Sequence, residues 1–185
     1  MSIITLDTKK LFEELDAISY TLQSQVSSVD EQQLNSTPFE DSWTPAQLAI
    51  HVTKSNNAIA QGLRMNGRPA NRNIDEAVPQ LKKMFLDFGV KYKSPQFIVP
   101  EEGNNDKQEI IEALKRSIER LKTLRNEIDL SEMISLPPFG EVTKLELLHF
   151  VLYHTTRHVH QLNNMIHLLQ NKHHVNNNNA NSKKI

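Results

Sequence analysis

Apolar residues recur every three or four positions in four separate segments, and this pattern restricts the fold more than any other feature. The first segment covers residues 7–29, and the others begin near Thr44, Asp106 and Thr143. Such spacing places the apolar side chains on one face of an α-helix. A face of this kind must be buried against another element. We therefore expect an all-α protein, an antiparallel-type four-helix bundle with one long connection.

Two of the helix starts carry a capping box, in which the first and fourth residues exchange side-chain and backbone hydrogen bonds. Thr44 and Gln47 have this spacing, with a proline at the first helical position, and Thr143 and Glu146 repeat it. Asp106 is placed to cap the third helix. These signals predict where the second, third and fourth helices begin.

The long connection between helices 2 and 3, residues 66–105, is interrupted by prolines and glycines. One short helix near residues 74–87 is the only element that we predict there. Connections of this length are often functional lids or crossovers. We find no alternating strand pattern in the chain, and Pro137-Pro138-Phe139-Gly140 indicates a break before the fourth helix.

Composition excludes several classes of function. The chain has no cysteine, so disulfides, thiolate metal sites and a cysteine nucleophile are excluded. Twenty-one basic residues against 22 acidic ones leave a net charge of −1, which gives no electrostatic reason to expect nucleic acid or a membrane surface as partner. The chain shows neither a secretion signal nor a transmembrane run of about 18 apolar residues, so we expect a cytoplasmic protein.

The end of the chain differs in composition from the rest. Residues 172–185 are rich in Asn, Lys and His and hold few apolar side chains. This composition is typical of disorder. We therefore predict a single domain over residues 1–171, with the fourth helix ending near residue 171, followed by a disordered tail over residues 172–185.

The fourth helix sorts its histidines onto two faces. With His154 at zero and about 100° per residue, His158 lies at about 40° and Gln161 at about −20°, among apolar side chains. His149, His160 and His167 lie on the opposite side, at about −120° to −140°. Two buried imidazoles one turn apart need hydrogen-bond partners or a shared metal ion. Either ordinary core histidines or a pair of metal ligands satisfies this pattern.

The second helix offers a third imidazole. His51 lies at the border of its apolar face, and the small residues Ser55 and Ala58 follow one and two turns later. A histidine at such a border is often only a core or edge residue. Beside the buried pair it becomes a candidate third ligand, and three histidines on facing helices would leave coordination positions open. Gln161 could then support His158 by a hydrogen bond.

Two rival interpretations concern charged residues of the fourth helix. Glu146-Leu-Leu-His149 matches one Glu-x-x-His element of di-iron bundles, but that architecture needs a second such element, which the chain lacks. Glu146 also has a simpler role as a capping partner. Arg157 lies at about −60° on the same helical wheel, with His154 at zero. It could meet an anionic group, although we expect it on a solvated helix edge.

Three pieces of the chain together resemble the DinB-like superfamily of metal-dependent enzymes, which includes bacillithiol- and mycothiol-dependent S-transferases. The similarity runs from the first helix to about residue 170. The matching pieces are Ser42-Trp43-Thr44-Pro45 leading to His51, Pro138-Phe139-Gly140, and His154-Thr-Thr-Arg-His158-Val-His-Gln161. The resemblance implies a bacterial four-helix bundle, a divalent metal ion held by His51, His154 and His158, and a homodimer.

The leading hypothesis is a metal-dependent hydrolase or low-molecular-weight-thiol S-transferase acting on a small molecule. Imidazole suits Zn, Ni, Cu and Fe, and three histidines alone do not choose among them. We expect Zn or Ni, with Fe or Mn as alternatives, and any thiol must be an external one. No general base stands out, and Glu40 and Asp41 are only nearby carboxylates. The alternative is a non-catalytic bundle, with a structural metal ion or none, that acts through dimerisation or partner binding. An open cavity beside the histidines would favour the enzyme.

Overall fold

The computed structural model describes the backbone of residues 3–182 and the side chains of residues 8–172. Within this part of the chain lie six α-helices, three short β-strands and one 3-10 turn, Gln96–Ile98. The helices are α1 (Ile3–Ser28), α2 (Glu31–Leu34), α3 (Pro45–Leu63), α4 (Val78–Leu86), α5 (Lys107–Leu124) and α6 (Lys144–Ser182). The strands are β1 (Arg68–Pro69), β2 (Glu132–Leu136) and β3 (Gly140–Thr143).

The four long helices α1, α3, α5 and α6 form the predicted bundle. Helices α1 and α3 each pack mainly against α5 and α6. Of the pairs that follow one another in the bundle, α3 and α5 are principal packing partners, whereas α1 with α3 and α5 with α6 are not. In a simple up-down bundle consecutive helices are neighbours, so this bundle has a different helix order.

A polar layer separates two apolar clusters in the core. One cluster includes Leu63, Leu121 and Leu148, and the other includes Leu114 and Leu162. Between them lie buried polar residues of α3, α5 and α6; they are His51, Ser55, Asn56, Ser117, His154, Thr155, Arg157 and His158. Polar groups so far from water need partners, and this layer is where the histidines of interest lie.

The prediction of no strands is wrong. Strands β1, β2 and β3 form a small antiparallel sheet in that order, and β2 pairs with β3 from Met133 opposite Thr143 to Leu136 opposite Gly140. The sequence predicted as a break is the turn of this hairpin, and Gly140 adopts a φ of 72°, which favours glycine. Strands of two to five residues offer too few alternating positions to be recognised.

Both predicted capping boxes are present. The Thr44 amide donates to Gln47 Oε1 at 2.9 Å, and the Gln47 amide donates to Thr44 Oγ1 at 3.1 Å. Thr143 and Glu146 exchange the same pair of bonds, at 2.9 and 3.1 Å. The side chain of Asp106 caps α5 through the amide of Glu109.

The bounds of α4 and α6 can be compared with those predicted from the sequence. Helix α4 lies inside the predicted residues 74–87. Helix α6 continues to Ser182, past the predicted end near residue 171, so that boundary is wrong. The side chains of residues 173–185 lie outside the described residues, and the disordered tail stays a prediction. None of the described helices combines the length and the hydropathy that crossing a bilayer requires.

Candidate metal centre

Three imidazoles meet in the polar layer of the bundle. His51 comes from α3, and His154 and His158 lie one turn apart on α6. The Nε2 atom of His154 is 3.2 Å from that of His51 and 3.0 Å from that of His158. Each of these residues is at most 7% exposed. The structure therefore brings together the three residues that the sequence predicts as ligands.

The backbone orients His51. Its Nδ1 atom lies 3.0 Å from the carbonyl oxygen of Ile98, in the 3-10 turn of the long connection. A carbonyl only accepts, so Nδ1 is the atom that carries the proton in this hydrogen bond. In a neutral imidazole the lone pair is then on Nε2, which is the atom that faces the other two histidines.

Burial keeps the three imidazoles neutral. It lowers the pKa of His51, although the hydrogen bond to Ile98 opposes this effect. Burial, with the neighbouring His158, His51 and Arg157, lowers the pKa of His154 well below its ordinary value. Burial and His51 lower the pKa of His158 to about 3, with a smaller contribution from Arg157 and opposition from Gln161. Neutral imidazoles with free lone pairs are metal donors at pH 7.

The spacing of the nitrogens fits one divalent ion. Imidazole nitrogens about 2.1 Å from an ion lie about 3.0 Å apart at right angles and about 3.4 Å apart at tetrahedral angles. The Nε2–Nε2 separations from His154 to His158 and to His51, 3.0 and 3.2 Å, fall at or between these values. Among the described residues these histidines are the one group of three or more His, Asp or Glu whose ligand atoms are close enough to hold an ion.

Aromatic rings support the imidazoles from the side. The ring centroid of Phe150 lies 5.0 Å from that of His154, and Phe85 meets the same ring edge-on at 6.0 Å. Trp43 lies 5.0 Å from His51. These contacts restrict the orientation of the rings, which an ion site requires. The side chain of Gln161 is half-buried beside His158.

A cavity of about 1120 Å³ opens beside the imidazoles, and all three of them line it. Ser55 and Ala58 also line it, so the small residues of α3 do leave space beside His51. Residues 91–95 of the long connection and Phe97 supply part of the wall. The long connection therefore covers one side of the cavity, as expected of a lid or crossover.

Residues 87–99, called the strap below, are fixed at both ends. At one end Arg157 donates to the backbone carbonyls of Phe85, Asp87 and Val90. At the other end the carbonyl of Ile98 accepts from His51, and that of Val99 accepts from Lys54 Nζ at 2.9 Å. The strap thus connects the candidate ligand His51 to a buried guanidinium on α6.

The expectation that Arg157 lies on a solvated edge is wrong. The residue is 5% exposed. Its guanidinium also lies 5.2 Å from the ring centroid of Tyr92, in a cation–π contact. A long side chain at the edge of the apolar face reaches carbonyls of the strap, and the sequence gives no signal for backbone partners.

The sequence profile of the DinB superfamily matches residues 14–162 of this chain. The chain belongs to the DinB superfamily. No curated protein matches it. The matched range contains all three histidines of the candidate centre, so the resemblance predicted from the motifs is confirmed.

Solved structures share the fold at low sequence identity. TT2238, a four-helix bundle protein, is 19% identical, with a TM-score of 0.56, over 84% of this chain and 97% of that one. YfiT from Bacillus subtilis, described as a probable metal-dependent hydrolase with an unusual four-helix bundle topology, is 16% identical, with a TM-score of 0.59, over 89% and 87%. A conserved protein of Enterococcus faecalis is 14% identical, with a TM-score of 0.59, over 92% and 99%.

In this DinB-superfamily chain Glu146 has a structural role. Its side chain is 0% exposed in an ion pair with Arg72, whose Nη1 and Nη2 donate to Oε1 and Oε2 at 2.5 and 2.7 Å. The amides of Ala77 and Thr143 donate to the same carboxylate. With these four bonds Glu146 joins the long connection to the start of α6, which leaves the di-iron interpretation without its carboxylate ligand.

The other histidines of α6 and the two nearby carboxylates only partly follow the sequence predictions. His160 and His167 are exposed, as predicted, whereas His149 is half-buried rather than exposed. Of the two nearby carboxylates, Asp41 lines the cavity and Glu40 does not. Asp41 has a φ of 58°, in the left-handed region that is uncommon for residues other than glycine.

Proposed function

We propose that this chain is a divalent-metal-dependent enzyme in which His51, His154 and His158 hold the ion. The convergence of three neutral Nε2 donors on the wall of a large cavity carries this proposal. The reaction is hydrolysis or S-transfer from an external low-molecular-weight thiol to a small molecule. The description of YfiT as a probable metal-dependent hydrolase supports the hydrolytic version.

The chemistry divides between the ion and the chain. A divalent ion with three histidine ligands supplies a Lewis acid and lowers the pKa of a bound water or thiol. The chain supplies neutral donors, and the hydrogen bond to Ile98 holds His51 in the tautomer that directs Nε2 inward. The strap, held by Arg157, supplies part of the cavity wall.

The donor set restricts the ion without selecting one. Imidazole nitrogen suits Zn, Ni, Cu and Fe, and Mn stays a further alternative. The chain lacks cysteine, so thiolate ligands from the protein are excluded. We propose Zn or Ni as the ion to test first.

The second candidate function is a non-catalytic bundle in which the ion joins α3 to α6 or is absent. A closed coordination sphere is typical of structural metal sites, whereas catalytic sites keep a position open. The cavity of about 1120 Å³ beside the imidazoles supports the enzyme. We also propose that the protein acts on a small-molecule substrate, forms a homodimer and is cytoplasmic. The proposal includes no nucleic-acid or membrane partner.

Metal content tests the proposed site. The untagged full chain is purified from unsupplemented cells beside two double variants, His154→Ala/His158→Ala and His160→Ala/His167→Ala. The control pair lies exposed on the same helix, and every variant keeps the histidines of the tail. We expect about one ion per chain in the wild type and the control, and loss of that ion in the site variant.

Elemental mass spectrometry gives the ion content, and circular dichroism checks that each variant is folded. Equal ion content in the site variant and the control would contradict the proposed ligands. A folded wild-type protein without any ion would instead favour the non-catalytic bundle.

A further inference from the structure

Large exposed apolar side chains group around this cavity. Among the described residues nine large hydrophobic side chains are exposed, and five of them line this one cavity. Those five are Phe39, Met65, Tyr92, Phe97 and Leu168. Single exposed apolar side chains need no explanation, but a contiguous group marks a binding surface. The grouping indicates a ligand with an apolar body.

The inner wall continues this apolar surface toward the imidazoles. Trp43, Phe139 and Phe150 line it together with Ile98 and Met165. Small-molecule sites occupy roughly 300–1000 Å³, so a cavity of about 1120 Å³ can take a complete small molecule. The apolar body of such a ligand can therefore extend from the histidines to the mouth.

The charges on the wall are unbalanced. Arg157, Lys91 and Lys93 line the cavity, and Asp41 is the one carboxylate that the structure describes on its wall. A divalent ion on three neutral imidazoles would add positive charge, because no carboxylate is among its ligands. Positive charge in an apolar setting is stabilised by an anionic partner.

We propose that the cavity binds an apolar monoanion, represented by medium-chain carboxylates, with its anionic group at the histidine end and its apolar body along the wall toward Phe97 and Met65. This inference rests on the proposed function, since the ion supplies most of the positive charge. Arg157 adds charge rather than a direct bond, because its donors are directed to backbone carbonyls of residues 85–90.

Calorimetric titration of the zinc-loaded full chain tests whether the ligand needs both an apolar body and an anionic group. Butanoate, hexanoate and octanoate vary the apolar body at constant charge, and 1-octanol removes the charge at nearly constant length. We expect Kd to fall by about fourfold for each methylene that is fully buried. We also expect 1-octanol to bind at least tenfold more weakly than octanoate, and octanoate to lose at least tenfold in affinity when the ion is removed.

A matched variant locates the apolar body. Phe97→Ser/Met65→Ser removes two exposed side chains from the mouth, and Tyr20→Ser removes one that is 73% exposed and does not line the cavity. The double variant should lose at least tenfold in affinity for octanoate with little change for butanoate. Tyr20→Ser should bind both as the wild type does, and all three proteins should keep the same ion content.

The outcomes separate this inference from the proposed function. Equal affinity for octanoate and 1-octanol in the ion-loaded protein would overturn the charge argument, and Kd values independent of chain length would overturn the apolar wall. Either result would leave the proposed metal site intact. A folded protein that takes up neither zinc nor nickel would contradict the metal site and this inference together.

Discussion

The metal-free protein should become less stable as the pH is lowered from 7.5 to 5.0, because the fold holds His158 neutral. Burial and the neighbouring His51 and Arg157 lower the pKa of His158 to about 3, against an ordinary value of about 6.5. In this window the unfolded chain therefore binds a proton that the folded chain does not. Stability rises with pH wherever the unfolded state binds more protons, so it falls as the pH drops from about 6.5 toward about 3.

The size of the effect follows from these two pKa values. Between pH 7.5 and pH 5.0 an unfolded histidine with a pKa of about 6.5 gains about 2 kcal/mol by protonation, whereas folded His158 gains almost nothing. His51 and His154 act in the same direction because burial lowers their pKa as well. The free energy of unfolding should therefore fall by at least about 2 kcal/mol, a large share of the roughly 5–15 kcal/mol typical of a domain.

Urea unfolding at the two pH values, in the presence of a chelator, measures this difference. The variant His158→Leu removes the proton-binding group, so its pH difference should shrink by about 2 kcal/mol. His167→Leu replaces an exposed histidine of the same helix and should keep the full difference. A His158→Leu protein that retains the wild-type pH difference would refute the explanation, as would a wild type that is equally stable at both pH values.

Two further substitutions test how the long connection is held. Glu146→Gln breaks the buried ion pair with Arg72. Burial raises the pKa of the Glu146 carboxyl, but the hydrogen bonds from Arg72 lower it, and the net shift is downward. The substitution should reduce the free energy of unfolding, measured in urea, by about 3 kcal/mol. A loss below about 1 kcal/mol would contradict that role. Arg157→Met leaves the backbone carbonyls of Phe85, Asp87 and Val90 without their donor. It should speed hydrogen exchange in residues 85–99 at least tenfold, with exchange in α5 unchanged. Unchanged exchange in residues 85–99 would contradict the anchoring role of Arg157.

The helices of the bundle and the position of the imidazoles could be predicted from the sequence because both depend on local geometry. The capping boxes at Thr44 and Thr143 fix where two helices begin, and the helical period then decides which residues face inward. From that period alone His154 and His158 are buried while His160 and His167 are exposed. Such information lies within a few turns of one helix and does not depend on the rest of the fold.

The sheet and the helix order could not be predicted in the same way. Strand β1 has only two residues, and its partner β2 lies more than sixty positions away along the chain. Pairing over that distance leaves no periodic signal in either segment. The orientation of His51 depends on the carbonyl oxygen of Ile98, a group that every residue carries. Sequence reasoning therefore found the three imidazoles but not the partner that selects the tautomer of His51.

Arg157 shows why the charge of the cavity escaped prediction. A buried guanidinium is commonly expected beside a carboxylate, and the wheel places Arg157 at the edge of the apolar face, so a solvated position was the natural inference. The structure instead satisfies it with backbone carbonyls of residues 85–90. Carbonyls accept hydrogen bonds without neutralising the charge. The contact that fixes the strap therefore also leaves the positive charge of Arg157 on the cavity wall, where it would add to the charge of an ion held by the three histidines.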